Sequence, residues 1–252
     1  MANTVQLYYF SPTGGTKKAG TAFCEAVCKD YKMINLAEKT DCVEQPSADL
    51  VVFAAPVYAG RIPEFVTEKM KKLDGTGKKA VTLAVYGVRA YEDALLEMND
   101  VAKACGFEVI ASGAFIAQHS IVPEVGAGRP DARDIDEIQD FAKKVSEKQG
   151  EVHSEFAVPG NRPYRDGNKV SATPISLDDC TYCGICAEVC PTDAITVSED
   201  TAVTELSKCM MCMACVAHCP NHARVLPAPM QQALNEKLGV LKDVRRENET
   251  FM

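Results

Sequence analysis

Between positions 180 and 219 the chain places eight of its 12 cysteines in two runs, CTYCGICAEVCP and CMMCMACVAHCP. Each run reads C-x2-C-x2-C-x3-C-P. The second repeats the first at an offset of 29, so that Cys180, Cys183, Cys186, Cys190 and Pro191 answer to Cys209, Cys212, Cys215, Cys219 and Pro220. Three thiolates spaced by two residues converge on one face of an iron–sulfur cube, and the fourth is carried away by the helix it starts, so that it ligates the other cluster. That reasoning assigns Cys180, Cys183, Cys186 and Cys219 to one [4Fe–4S] cluster, and Cys190, Cys209, Cys212 and Cys215 to a second. Zinc fits poorly, because its sites pair C-x2-C units across a longer stretch. A disulfide framework belongs to small secreted domains short of core, whereas this chain has 252 residues, 46% of them hydrophobic.

The residues between the ligands suit such clusters. Ile185, Val189, Met210, Met211, Met213 and Val216 supply an apolar shell that limits solvent access. Residues 177–226 carry seven carboxylates against Lys208 and Arg224, which favours basic redox partners. His218, beside a ligand, reads as a surface or supporting histidine.

The net charge of −8 and the lack of a basic stripe exclude a nucleic-acid partner. No apolar run reaches the ~18 residues of a membrane span. The first residues, MANTVQLYYFSPTGG, lack the layout of a signal peptide, so a cytoplasmic protein is expected.

A two-cluster unit needs few residues, and the preceding segment must add something. Across residues 1–150 strand-like runs (4–10, 31–36, 49–58, 80–86 and 107–116) alternate with helical patterns, including 63–73, 91–105 and 134–148. The run DLVVFAAPVY is apolar almost throughout, as a strand buried on both faces requires. This alternation predicts an α/β unit with a doubly wound, parallel five-stranded sheet. Residues 151–176, rich in Pro and Gly from 158 to 174, read as a linker to a small α+β cluster domain at 177–227. Residues 228–252 read as a terminal helix, to about 247, and a tail. Cys24, Cys28, Cys42 and Cys105 read as core packing.

The first predicted strand stops at SPTGGTKK. Backbone N–H groups at a helix start, with the hydroxyls of Ser11, Thr13 and Thr16, form an anion cradle, and Gly14 and Gly15 permit close backbone approach. The loop is neither a Walker A sequence nor a G-x-G-x-x-G dinucleotide fingerprint. SPTGGT resembles the phosphate loop of the flavodoxin family, S/T-x-T-G-x-T, at Ser11, Thr13, Gly14 and Thr16. The resemblance implies FMN, bound also by two further loops at the carboxyl ends of strands. One, APVYAGRIP, offers Pro56, Val57, Tyr58 for ring stacking, and Ala59-Gly60 as a flexible peptide. The other, YGVRAYED, offers Tyr86, Gly87 and Tyr91. AQHSIV, at 117–122, resembles a loop of flavodoxin–ferredoxin fusions, and leaves His119 either at the flavin rim or without a role. Val88 stands where related fusions often have Asn.

Front and back together resemble flavodoxin–ferredoxin fusion proteins of anaerobic bacteria and archaea. The resemblance implies an electron-transfer protein that relays electrons between two [4Fe–4S] clusters and FMN, with protein redox partners and no catalytic residues of its own. The alternative is an FMN-dependent oxidoreductase that takes hydride from NAD(P)H or reduces a small acceptor. A homodimer is compatible with a fusion of this kind, although no residue argues for it.

Overall fold

A computed structural model describes residues 4–148, 156–167 and 170–252. The front unit runs β1 (Val5–Tyr9), α1 (Gly15–Val27), β2 (Tyr31–Asn35), β3 (Leu50–Pro56), α2 (Glu64–Met70), β4 (Lys79–Tyr86), α3 (Ala94–Ala104), β5 (Glu108–Ile116) and α4 (Ala132–Lys148). Its five strands are parallel, in the order β2-β1-β3-β4-β5. This is the doubly wound order of the flavodoxin-like fold, whose ligands bind at the carboxyl ends beside the β1/β3 switch point.

Strands β3 and β4 are buried along nearly their whole length because helices cover both faces. On one face Phe23 of α1 packs against Phe141 of α4, with Val52, Leu83 and Phe115 beneath. On the other, Val66 and Met70 of α2 and Leu95 and Met98 of α3 close over Phe53, Tyr86 and Phe107.

The cysteine-rich unit follows with short elements: β6 (Ile175–Ser176), α5 (Ile185–Glu188), β7 (Ile195–Val197), β8 (Ala202–Thr204), α6 (Ala214–Ala217) and β9 (Arg224–Val225). Strands β6 and β9 pair antiparallel, as do β7 and β8. The helices α5 and α6 occupy equivalent places in the two C-x2-C-x2-C-x3-C runs, as the sequence repeat requires.

Two segments depart from their sequence reading. The helix expected to about 247 is α7 (Ala228–Leu238) with a 3-10 turn at Gly239–Leu241, after which the chain extends. It then adds β10 (Glu249–Phe251) antiparallel to β5, a sixth strand on the sheet. The approach to β10 is held by polar contacts. Arg245 pairs with Asp131, the Arg129 guanidinium donates to Arg246 O at 2.9 Å, and Asn248 Oδ1 accepts the Ile116 N–H at 2.9 Å.

The described part of the predicted linker is likewise fastened. The Asp93 carboxylate accepts the N–H groups of Asn161 and Arg165, both at 2.8 Å, and Asp100 takes Arg162 at 2.5 Å. Proline and glycine content marked an irregular path, but the acidic side chains along α3 pin it. Of the four cysteines read as core, Cys24 is buried, Cys28 and Cys105 are half-buried, and Cys42 is exposed, on a loop outside the apolar stripe.

Candidate functional site

The loops after β1, β3, β4 and β5 meet at one end of the sheet and line a single cavity. The first loop supplies Thr13, Gly15 and Thr16. Gly14 is the N-cap of α1 in the left-handed region at φ 92°, which glycine tolerates without a Cβ penalty. Gly15 passes so close to the loop after β5 that a Cβ on it would lie 2.8 Å from Ala117 Cβ. The N–H groups of Gly15 and Thr16 meet no carbonyl of the described chain, as befits the first turn of a helix. The Ser11 hydroxyl does not line the cavity; it accepts the Lys17 N–H at 2.8 Å and closes the loop from behind.

Pro56, Val57, Tyr58 and Ala59 form the second wall. Tyr58 and Arg61 exchange backbone hydrogen bonds of 2.9 and 3.1 Å. Ala59 and Gly60 between them have φ of 51° and 83°. Positive φ at both central positions is the signature of a type I′ turn, so Gly60 shapes the loop without lining the cavity. Burial, with the Cys212 thiol beside it, pushes the Tyr58 hydroxyl well above its ordinary range.

Tyr86, Gly87 and Arg89 form the third wall. Tyr91 is absent from it, contrary to the sequence reading. It packs edge-on against Tyr86 with centroids 5.3 Å apart, and its hydroxyl donates to Glu249 of β10. Val88 is fully buried at φ 65° and presents nothing to the cavity, so the question of its replacement for Asn does not arise there.

His119 does line the cavity. Its Nδ1 accepts the N–H groups of Ile121 and Val122 at 3.2 and 3.1 Å, which leaves the proton of the neutral ring on Nε2. Burial, with a smaller push from the Arg89 charge, lowers its pKa. His218 is exposed, and its Nδ1 lies 2.9 Å from Ala214 O.

Sequence reasoning did not foresee the last contributors, Met210 and Met211, which reach the same cavity from the cysteine-rich unit. Cys212 and Ala214, just beyond them, belong to the same apolar cluster as the front unit's core. A larger cleft runs from Tyr58 and Arg61 along α2 to Lys208 and Cys209.

The eight repeat cysteines separate into two sets. Cys180, Cys183, Cys186 and Cys219 line one small cavity; Cys190, Cys209, Cys212 and Cys215 line another. Each set draws three residues from one run and the last cysteine of the other, the exchange expected from spacing. Among the described residues no three His, Cys, Asp or Glu side chains converge at single-ion spacing. The donor sets are wholly thiol, and burial pushes Cys212 up to about 12, so that a ligand group must displace its proton.

Arg224 tests whether an anionic group fits here. Its side chain is 1% exposed and lines the first cavity. Its guanidinium donates to Ser176, Ala202 O, Pro174 O and Thr204 at 2.5 to 3.2 Å, but Nε has no partner, and no carboxylate pairs with it among the described residues. A buried cation without a counter-charge is costly. Its charge bears on Cys186 in one set and on Cys209 and Cys215 in the other. Anionic iron–sulfur groups in the two cavities are the counter-charge that fits.

A doubly wound sheet with four loops around one cavity, joined to a duplicated thiol unit, defines the class: a flavodoxin-like α/β fold fused to a ferredoxin unit. A model of the 4Fe-4S binding domain family matches residues 173–196 and 202–225. Ferredoxin-1 of Chlorobaculum tepidum is 41% identical over 49 residues, 17% of this chain and 79% of that one. A ferredoxin of Methanothermococcus thermolithotrophicus is 73% identical over 22 residues, 9% of this chain and 37% of that one. Through this segment the chain belongs to the 4Fe-4S ferredoxin family. Similar solved structures include flavodoxin 1 of Bacillus cereus, at 13% identity and TM-score 0.45, covering 57% of this chain and 98% of that one. A flavodoxin from the domain Archaea aligns at 15% identity and TM-score 0.42, covering 57% and 97%. Among the described residues no helix is long and apolar enough to cross a membrane.

Proposed function

We propose that this chain is an electron-transfer protein that relays electrons between two [4Fe–4S] clusters and one FMN, and exchanges them with partner proteins. The observation that carries this reading is the presence of Met210 and Met211 in the lining of the strand-end cavity. They sit between Cys209 and Cys212, so the loop that gathers one thiol set is also a wall of the proposed flavin site.

When bound, the clusters exchange single electrons and the flavin holds one or two. The chain's own part is to bind, orient and shield. Ser11 fixes the first loop, and the N–H groups of Gly15 and Thr16 with the Thr13 and Thr16 hydroxyls receive the phosphate. Tyr58 and Tyr86 wall the ring, and the neutral His119 presents Nε2–H to the cavity. Cys180, Cys183, Cys186 and Cys219 hold one cluster, and Cys190, Cys209, Cys212 and Cys215 the other. Ala194 N–H donates to Cys190 Sγ at 3.3 Å, the kind of backbone bond that tunes a ligating sulfur. The reading assigns 1–150 to the flavin, 151–176 to the linker and 177–227 to the clusters, while the chain from Ala228 runs through α7 to β10.

The test is anaerobic loading of the full chain with iron, sulfide and FMN, followed by stoichiometry and titration with NADH, NADPH and dithionite. A carrier binds about eight irons and one flavin, and is reduced by dithionite but not by nicotinamide. Rapid flavin bleaching by stoichiometric NADH or NADPH would make it a hydride-accepting oxidoreductase instead.

A further inference from the structure

The two thiol sets face different surroundings. In the set Cys190, Cys209, Cys212 and Cys215, three thiols are at most 8% exposed and Cys209 is half-buried, and Cys212 belongs to the front unit's core cluster. In the other set only Cys186 is buried; Cys183 is exposed, and Cys180 and Cys219 are half-exposed. Ile175 and Leu177, each 45% exposed, and Tyr182, 36% exposed, stand in solvent; Tyr182 lines this site, and Leu177 O accepts the Cys180 N–H at 3.0 Å.

This apolar patch carries an acidic rim. Asp178 and Asp179 follow Leu177 directly, and both are exposed. The two basic residues of 177–226 do little to offset them. Arg224 is buried, and Lys208 is bound to Glu205 at 2.6 Å.

We propose that the face of Ile175, Leu177 and Tyr182 beside Cys183 is the docking surface for a one-electron carrier protein with a lysine-rimmed apolar face, the Cys190/Cys209/Cys212/Cys215 site being the inner station next to the strand-end cavity. This rests on the relay reading above and adds its order and its port. One electron crosses per encounter: the donor is oxidised by one, the receiving site is reduced by one, and no bond, proton or leaving group moves. The apolar centre supplies contact area, and the acidic rim steers encounter and makes the association salt-dependent.

The experiment uses the cofactor-loaded full chain, reduced beforehand with dithionite that is then removed, and cytochrome c as a basic one-electron probe. Carbodiimide cross-links are mapped by mass spectrometry at low salt, beside iron, sulfide and flavin analysis. Cross-links are expected at Asp178 and Asp179. A D178K/D179K variant should lose them and reduce the probe at least about tenfold more slowly, with a weaker salt dependence. An I175S/L177S variant should weaken association with the cofactor content unchanged. An E64K/E68K variant, altered on α2 beside the Tyr58 cleft, should behave as the parent. Cross-links concentrated at Glu64 and Glu68, with full cofactor content, would overturn the port while leaving the relay. Iron and sulfide below cluster stoichiometry would overturn the relay reading and the port together.

Discussion

The Tyr91 hydroxyl donates a 2.9 Å hydrogen bond to Glu249 Oε2, across 158 residues of chain. Tyr91 is 6% exposed and packs edge-on beneath Tyr86, so the bond ties β10 to the underside of a cavity wall. A hydrogen bond to a charged acceptor contributes about 1.5–3 kcal/mol. Tyr91→Phe should lose about that much in denaturant unfolding, and should raise hydrogen exchange at Glu249–Phe251. An unchanged exchange rate there would show that β10 holds without the bond.

Arg224 should govern the thiol unit through charge. Arg224→Gln removes the buried cation shared by both sets, and should lower the reduction potentials of the loaded clusters in an EPR-monitored titration. Arg224→Lys keeps the charge and should restore most of the shift. A pure packing role would move cluster content in both variants and leave the potentials alone.

Gly15→Ala places a methyl against Ala117 and forces the first loop off the sheet end. FMN affinity, read by flavin fluorescence, should fall roughly tenfold or more, about 1.4 kcal/mol. Iron content should not change.

Acid should attack the seam between α4 and the strand that follows α7. Burial works to raise Asp134, but the Arg129 hydrogen bond, the Asp131 N–H and Asn248 outweigh it and hold its pKa below the ordinary 3.8. A carboxylate depressed in the folded state contributes stability present above the unfolded value and lost as pH falls through the folded one. Asp134→Asn should therefore cost about 3–5 kcal/mol near neutrality, since it strands a nearly buried Arg129, and less as pH drops below about 4. Urea midpoints between pH 3 and 7 decide this.

His119 should remain neutral. Its folded pKa lies below 6.5, so its contribution to stability is present above that value and is lost as pH falls and the unfolded chain takes up the proton first. Ring NMR shifts should show no titration from pH 7 upward.

The doubly wound sheet was legible because its strands are apolar runs separated by helical periodicity, and the thiol sets because ligand spacing is nearly a geometric statement. Other features were hidden for identifiable reasons. Strand β10 is three residues long, Glu-Thr-Phe, with no alternation to mark it. Tyr91 looks like a ring-stacking aromatic from its position, and only packing reveals that Tyr86 stands in front of it. The reach of Met210 and Met211 into the strand-end cavity depends on how two units dock, which local periodicity does not encode. The segment before the cysteines read as a linker because its composition is irregular, while the carboxylates of Asp93 and Asp100 that fasten it lie far back in the chain.

The return of the chain to β5 changes what kind of fusion this is. The thiol unit sits between the fifth and sixth strands of one sheet, so it is an insertion held at both ends and not a bead on a string. A single proteolytic cut in the 151–176 stretch would leave the halves joined by β10, Arg245 and Asn248. Exchanging the unit for a homologous one is accordingly a cassette problem, with two junctions to match.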